Sequence, residues 1–215
     1  MLQGAVHGGE WMKTKVFVSL FLFLLLLSGC TQMMRGSQTG TKKLLKKMTL
    51  IEALTFAYSD AVKWNKGAML VDAKSVDSDE EIVQFDGKRR YWDITFGVPH
   101  THEAFLVSIR DGEINNYDIS DEGVPVHSND YFITDLSEIK IDSPELLKKV
   151  ISTTKLYPSD TWTKGYSYGI SKDIDKDIVL IKIFGWGKER EKFMGLQFNA
   201  STGEFLKRTV VRYGH

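Results

Sequence analysis

Apolar residues are spaced in three ways along this chain. From Val16 to Leu27 they run almost unbroken, with Ser19 the one polar residue. Around Leu50 and again around Leu146 they recur every three or four positions. Leu50, Leu54, Ala57 and Ala61 form one ridge, with Ile51, Tyr58 and Val62 beside it, and Leu146, Leu147, Val150 and Ile151 form the other. That period predicts two helices, each buried along one stripe. Elsewhere the apolar residues alternate. Trp92, Ile94 and Phe96 interleave with Tyr91, Asp93 and Thr95, and Phe105, Val107 and Ile109 with Leu106, Ser108 and Arg110. Val179, Ile181 and Ile183, then Met194, Leu196 and Phe198, repeat the pattern later in the chain. Period two with polar partners predicts half-buried antiparallel strands.

Local signals set the ends of these elements. Thr49 and Glu52 form a capping box, the threonine able to accept the N3 amide and the glutamate the cap amide. Ser143-Pro144-Glu145 predicts the second helix start, with Ser143 as cap and Pro144 at the first helical position. Asp111-Gly112 and Thr202-Gly203 predict turns before two last strands, 115–119 and 206–211. The order helix, strand, strand, strand thus occurs twice, at an offset of 87 to 94 residues. A Phe-Gly doublet (Phe96-Gly97, Phe184-Gly185) breaks the alternation and carries no weight. The expected fold class is α+β: two tandem units, each a helix packed on a three- or four-stranded antiparallel meander sheet. The units span 49–119 and 143–215, with a connector over 120–142. Each is of marginal size alone, so the halves should pack against each other.

The first apolar run carries a different message. It follows a short basic start, Met12-Lys13-Thr14-Lys15, and at about 12 residues it is short of the ~20 a membrane span needs. It fits the apolar region of a secretory signal peptide. It closes on Leu27-Ser28-Gly29-Cys30, which resembles a bacterial lipobox, the cleavage and acylation signal of secreted lipoproteins. The resemblance implies a signal peptide over 1–29, with 1–11 upstream of the true start, and a diacylglyceryl thioether on Cys30. Cys30 is the sole cysteine, so no intramolecular disulfide can form. Two acyl chains would anchor the protein stably at the extracytoplasmic side of a bacterial cell membrane or outer membrane. Residues 30–48 read as the lipidated cysteine and a polar tether. Its Lys42–Lys47 run could meet anionic headgroups, though a solvated lead-in to the first helix is the simpler reading.

The capped helices, the strands behind them and the closing turns "DGEI" and "STGEF" resemble the PepSY-type domain over about 49–119 and 143–212. Only Asn199–Glu204 comes close to that domain's D-x-x-T-G-E motif. The resemblance implies a cystatin-like half-barrel plan, often in tandem in secreted or membrane-attached bacterial proteins. It implies a binding or peptidase-modulating role and no catalytic residues.

Candidate chemistry is sparse. Positive and negative side chains balance at 28 each, which argues against a nucleic-acid partner. No G-x-S-x-G, G-x-x-x-x-G-K-[ST] or G-x-G-x-x-G is present, and no cofactor is expected. His102-Glu103-Ala104-Phe105-Leu106 falls short of H-E-x-x-H because Leu106 stands where the second histidine would be, and the segment enters a strand. His100 and His102 could share a strand face and hold a metal ion, with His127, Glu103 or His215 as the only suggestive third ligands. The simpler reading is a hairpin tip built on Gly97 and Pro99. The acidic runs Asp77–Glu81 and Asp173–Asp177 lack the offsets of a calcium loop. Trp64, Trp92 and Trp162 read as core. Trp186, between two glycines, is either a partner contact on a loop or a ring folded over the sheet. The expectation is a non-enzymatic binding protein for a peptide, protease or envelope partner, working through a strand edge or hairpin tip. The alternatives are a surface hydrolase or metal-binding protein using His100 and His102, and a structural spacer in the envelope.

Overall fold

The structure is a computed structural model that describes residues 46–75, 85–120, 131–160, 164–190 and 192–211. The first helix, α1 (Leu50–Trp64), leads into four strands: β1 (Met69–Ser75), β2 (Tyr91–Gly97), β3 (Ala104–Arg110) and β4 (Glu113–Ser120). A 3-10 turn at Leu136–Glu138 precedes α2 (Ser143–Thr153) and a two-residue ladder, β5 (Ser159–Asp160) with β6 (Lys164–Gly165). Four more strands follow: β7 (Ser167–Asp173), β8 (Ile178–Trp186), β9 (Phe193–Asn199) and β10 (Phe205–Val211).

These strands overturn the expected plan of two helix-plus-sheet units. Strands β1–β4 and β7–β10 form one eight-stranded antiparallel sheet in the order β10-β9-β8-β7-β1-β2-β3-β4. Two helices serve the whole sheet, and a single apolar cluster runs beneath both. The join is the pair β1 and β7, in register at Asp72↔Ser171, Ala73↔Ile170 and Lys74↔Gly169. The expected plan left both of these strands out. Their patterns, MLVDAKS and SYGISKD, carry too few large apolar residues to alternate visibly.

The outer strands follow the alternation. Trp92, Ile94, Phe96, Phe105, Val107 and Ile109 are buried on the helix side, as are Val179, Ile181, Ile183, Leu196 and Phe198. Helix α1 sinks Leu50, Ala53, Leu54, Ala57 and Ala61, and α2 sinks Leu146, Leu147 and Val150. Ile151, placed on the second stripe by spacing, is 48 % exposed. Trp92 is fully buried, Trp64 half-buried, and Trp162 lies outside the described residues. Asp111 and Gly112, both at positive φ, make the two-residue turn between β3 and β4. The Phe-Gly doublets are not equivalent. Phe96 faces the helices, whereas Phe184 pairs with Gly195 on the opposite sheet face and lies across it.

The helix N-termini join the halves. Four amides at the start of an α-helix have no partner within it. In α1 all four are satisfied by side chains. Thr49 N–H donates to Glu52 Oε2 at 2.9 Å, and Glu52 N–H to Thr49 Oγ1 at 3.2 Å, completing the capping box. Leu50 N–H donates to Ser143 Oγ at 3.0 Å and Ile51 N–H to Asp142 Oδ1 at 3.1 Å. The second pair of acceptors comes from more than ninety residues away. The cap of α2 is therefore Asp142, not Ser143: its Oδ1 accepts Ser143 N–H at 2.7 Å. Ser143, freed from capping its own helix, caps the other one. The Asp142 carboxylate thus sits at the N-terminal, electropositive end of both helices.

Further polar links cross the same join. Tyr168 N–H donates to Ser75 Oγ at 2.8 Å, and buried Arg89 donates from Nη1 to Lys164 O at 2.5 Å. On the β1–β4 side alone, Met48 and Arg89 exchange backbone hydrogen bonds, and the Trp92 indole N–H donates to Met48 O at 3.3 Å. Lys47 reaches Asp86 at 2.7 Å. Burial pulls the Asp86 pKa up, but the hydrogen bond from Lys47, the Lys88 amide and the Lys47 charge outweigh it, and its carboxyl titrates below its usual range.

Candidate functional site

An open antiparallel sheet ends in strands that each have an unpaired backbone edge. Here those strands are β4 and β10. No described strand pairs with the outer edge of either. Strand β4 is the more exposed along its length. Its Tyr117 and Ile119 stand opposite Val107 and Phe105 on the helix side, 61 % and 56 % exposed. Both are large apolar side chains in the open. Phe105 lies 5.8 Å from the Tyr117 ring and stacks on Trp64 of α1 at 5.3 Å. Trp64, Phe105, Tyr117 and Ile119 thus make an apolar shelf beside the outer edge of the described sheet. Glu113 and Asp118 give the strand an acidic character. Edge strands are commonly blunted by lysine, proline or extreme shortness. The eight residues of β4 contain neither lysine nor proline.

The histidines lie at the near end of the same half. Residues 98–103 connect β2 to β3, with Thr101 N–H and Oγ1 both donating to Val98 O. Glu103 N–H donates to Thr101 Oγ1 at 3.0 Å, and the Glu103 carboxylate accepts from Asn65 Nδ2 at 3.1 Å. His100 takes a positive φ of 64° at the tip, and both His100 and His102 are exposed. They sit in a turn, not on a strand face. Among the described residues no three His, Cys, Asp or Glu side chains gather closely enough to hold a metal ion. His127, His215 and Cys30 lie outside the described residues.

Trp186 is the last residue of β8, half-buried, with its ring edge-on to Phe193 at 5.5 Å. Its backbone pairs with Tyr157 through two hydrogen bonds of 2.7 Å, and its indole N–H is buried without a protein acceptor. The structure therefore places this ring against the sheet at the base of the β8–β9 connection.

One polar pair went unseen in the sequence because its members lie on different strands. Lys182 Nζ donates to Ser171 Oγ at 2.7 Å on the sheet face away from the helices. Burial lowers the Lys182 pKa, while Asp72 and Asp173 pull it up. A serine beside a lysine is a nucleophile–base geometry only when the amine is neutral. No helix among the described residues is long and apolar enough to cross a membrane.

Comparison with known proteins adds one structural relation. No protein-family model matches the chain, and no curated protein matches it. Its fold is similar to the crystal structure of a "putative lipoprotein" from Clostridium difficile 630. The TM-score is 0.50 at 13% sequence identity, over 73% of this chain and 91% of that one. At that identity the relation is one of fold.

Proposed function

We propose that this chain is an extracytoplasmic lipoprotein, held to a bacterial membrane by acyl chains on Cys30, whose folded part binds a protein partner and performs no catalysis. The observation that carries the anchoring is the ordered set at the front: basic start, short apolar run, Leu-Ser-Gly-Cys, and no other cysteine in the chain. A similar fold in a protein described as a lipoprotein supports it. The binding reading rests on the β4 edge. A partner segment in extended form would add a ninth strand, its backbone pairing with β4 and alternate apolar side chains resting on Tyr117, Ile119 and Trp64. The exposed acid Asp118 favours a segment carrying lysine or arginine.

Two measurements test this reading. Wild-type protein expressed in a bacterium should fractionate with the membrane and label with radioactive palmitate. Cys30→Ala should do neither, and membrane retention with no label in the wild type would refute acylation. A partner captured from those membranes should be lost with Ile119→Pro, which removes an edge donor, and with Tyr117→Lys plus Ile119→Lys. Capture that survives both changes would rule out the β4 edge.

A further inference from the structure

The sheet has a second outer strand, and its chemistry complements the first. Strand β10, at the opposite end from β4, reads Phe-Leu-Lys-Arg-Thr-Val-Val. Lys207 and Arg208 are both exposed. So are two apolar side chains, Phe205 and Val210, each at 48 %. An extended segment with adjacent cations and exposed apolar side chains is the kind of strand that β4 suits, and this chain carries one itself.

The faces match as well. Lys207 stands opposite Gln197, and Gln197 opposite Lys182, so Lys207 lies on the sheet face away from the helices. Asp118, opposite Leu106, lies on that face too. Arg208 stands opposite Leu196 and Val210 opposite Met194, on the helix side, where Tyr117 and Ile119 also lie. Every neighbouring pair in the sheet is antiparallel, and β10 and β4 are the first and last of its eight strands. They therefore run in opposite directions. A second copy moved sideways, without turning over, brings its β10 antiparallel to β4 and keeps its helices on the same side. The register that sets Asp118 beside Lys207 also sets Tyr117 beside Arg208, a ring against a guanidinium. It takes Ile119 to the Phe205–Leu206 end of β10.

Charge separates this contact from the symmetric ones. Two β10 strands would set Lys207 and Arg208 against like charges, and lysine on an edge strand commonly prevents such pairing. Two β4 strands would bring Asp118 toward its own copy. The mixed contact joins carboxylate to ammonium.

We propose that the β10 edge of one copy pairs with the β4 edge of another, so that this chain associates with itself head to tail in a continuous antiparallel sheet. The inference rests on β4 being the binding edge, and it names a second copy as the occupant. A contact between two different edges leaves one of each at the ends of a dimer, so further copies can add.

The test is sedimentation velocity on the full chain in non-ionic detergent, over a range of protein and salt concentrations. The mass should rise with protein concentration beyond that of a dimer, and association should weaken as salt rises. Asp118→Lys and Lys207→Asp should each weaken it by about threefold or more. Both changes in one chain recreate an opposite pair at every contact and should restore it. Ile119→Pro should abolish it. Lys74→Asp, exposed on the same face but in the middle of the sheet, should leave it unchanged. An unaltered melting temperature will show that each variant is folded. A wild-type chain that stays monomeric overturns the inference. So does a double reversal no tighter than either single one, or association untouched by Ile119→Pro. The β4 reading is judged apart: a monomeric protein whose membrane capture still depends on Ile119 defeats self-association and leaves that reading intact.

Discussion

Ser143→Ala tests the way the two halves are joined. In the folded protein the Ser143 hydroxyl accepts the Leu50 N–H at 3.0 Å, and both residues are wholly shielded from solvent. Alanine removes the acceptor and leaves the amide with no water to replace it. An unsatisfied buried donor costs about 1–3 kcal/mol. Alanine's better helix propensity returns a few tenths of a kcal/mol at most at this first-turn position. For a folded region of this length a loss of 1 kcal/mol lowers the melting temperature by about 2–4 °C. The expected fall is thus roughly 2–12 °C. Urea unfolding followed by tryptophan fluorescence measures it directly. Hydrogen exchange supplies the local readout, because the Leu50 amide should lose protection more than the Ala53 amide, which bonds to Thr49 O within the helix. Ser137→Ala serves as control, since that exposed serine bonds only to Asp135 two residues away. If Ser143→Ala unfolds within about 0.5 kcal/mol of wild type, as an ordinary surface change does, the cross-half cap contributes nothing and the account of the join is wrong.

Three further outcomes are expected. Gly185→Ala places a Cβ 2.5 Å from the Tyr157 carbonyl oxygen and 3.1 Å from Leu156 Cγ, so it should separate Tyr157 from Trp186 and cost about 1–3 kcal/mol in urea unfolding. Gly112→Ala forces a side chain into φ +77° in the β3–β4 turn and should destabilise by about 1–2 kcal/mol, while the change at Gly67, where φ is not positive, should do less. The folded pKa of Asp86 is depressed below 3.8, so its contribution is present above that value and is lost as pH falls through the lower folded one. Acid unfolding below about pH 4 should therefore be shallower in Asp86→Asn than in wild type, and equal slopes would count against the Lys47–Asp86 pair.

The parts of this fold that could be read in advance are those whose apolar side chains are large. Trp92, Ile94 and Phe96 declare β2, and Ile181 and Ile183 declare β8, because each sinks one face into the core while polar neighbours face out. The hairpin tip at Val98–Glu103 was legible for a different reason: Gly97 and Pro99 interrupt the alternation, and the histidines on it inherit its exposure. The shelf beside β4 was not legible. Tyr117 and Ile119 alternate like core residues, and only their place on the last strand of the sheet leaves them in solvent.

The two seam strands show why the join itself was hidden. A strand in the middle of a sheet covered by helices should be its most apolar, yet β1 and β7 meet through Ala73 and Ile170 flanked by Asp72, Lys74, Gly169 and Ser171. An apolar pattern this thin specifies register weakly. Directional bonds supply what it lacks: Ser75 to the Tyr168 amide, Arg89 to the Lys164 carbonyl, and Ser143 and Asp142 to the first amides of α1. Each bond has geometry that a slip by one residue would break, and each leaves a buried or half-buried group unpaired if the halves drift apart. Such bonds have no period in the sequence. Alternation could therefore reveal the side that the large apolar strands bury, while the edge along which β1 meets β7 rested on single polar atoms 75 to 93 residues apart.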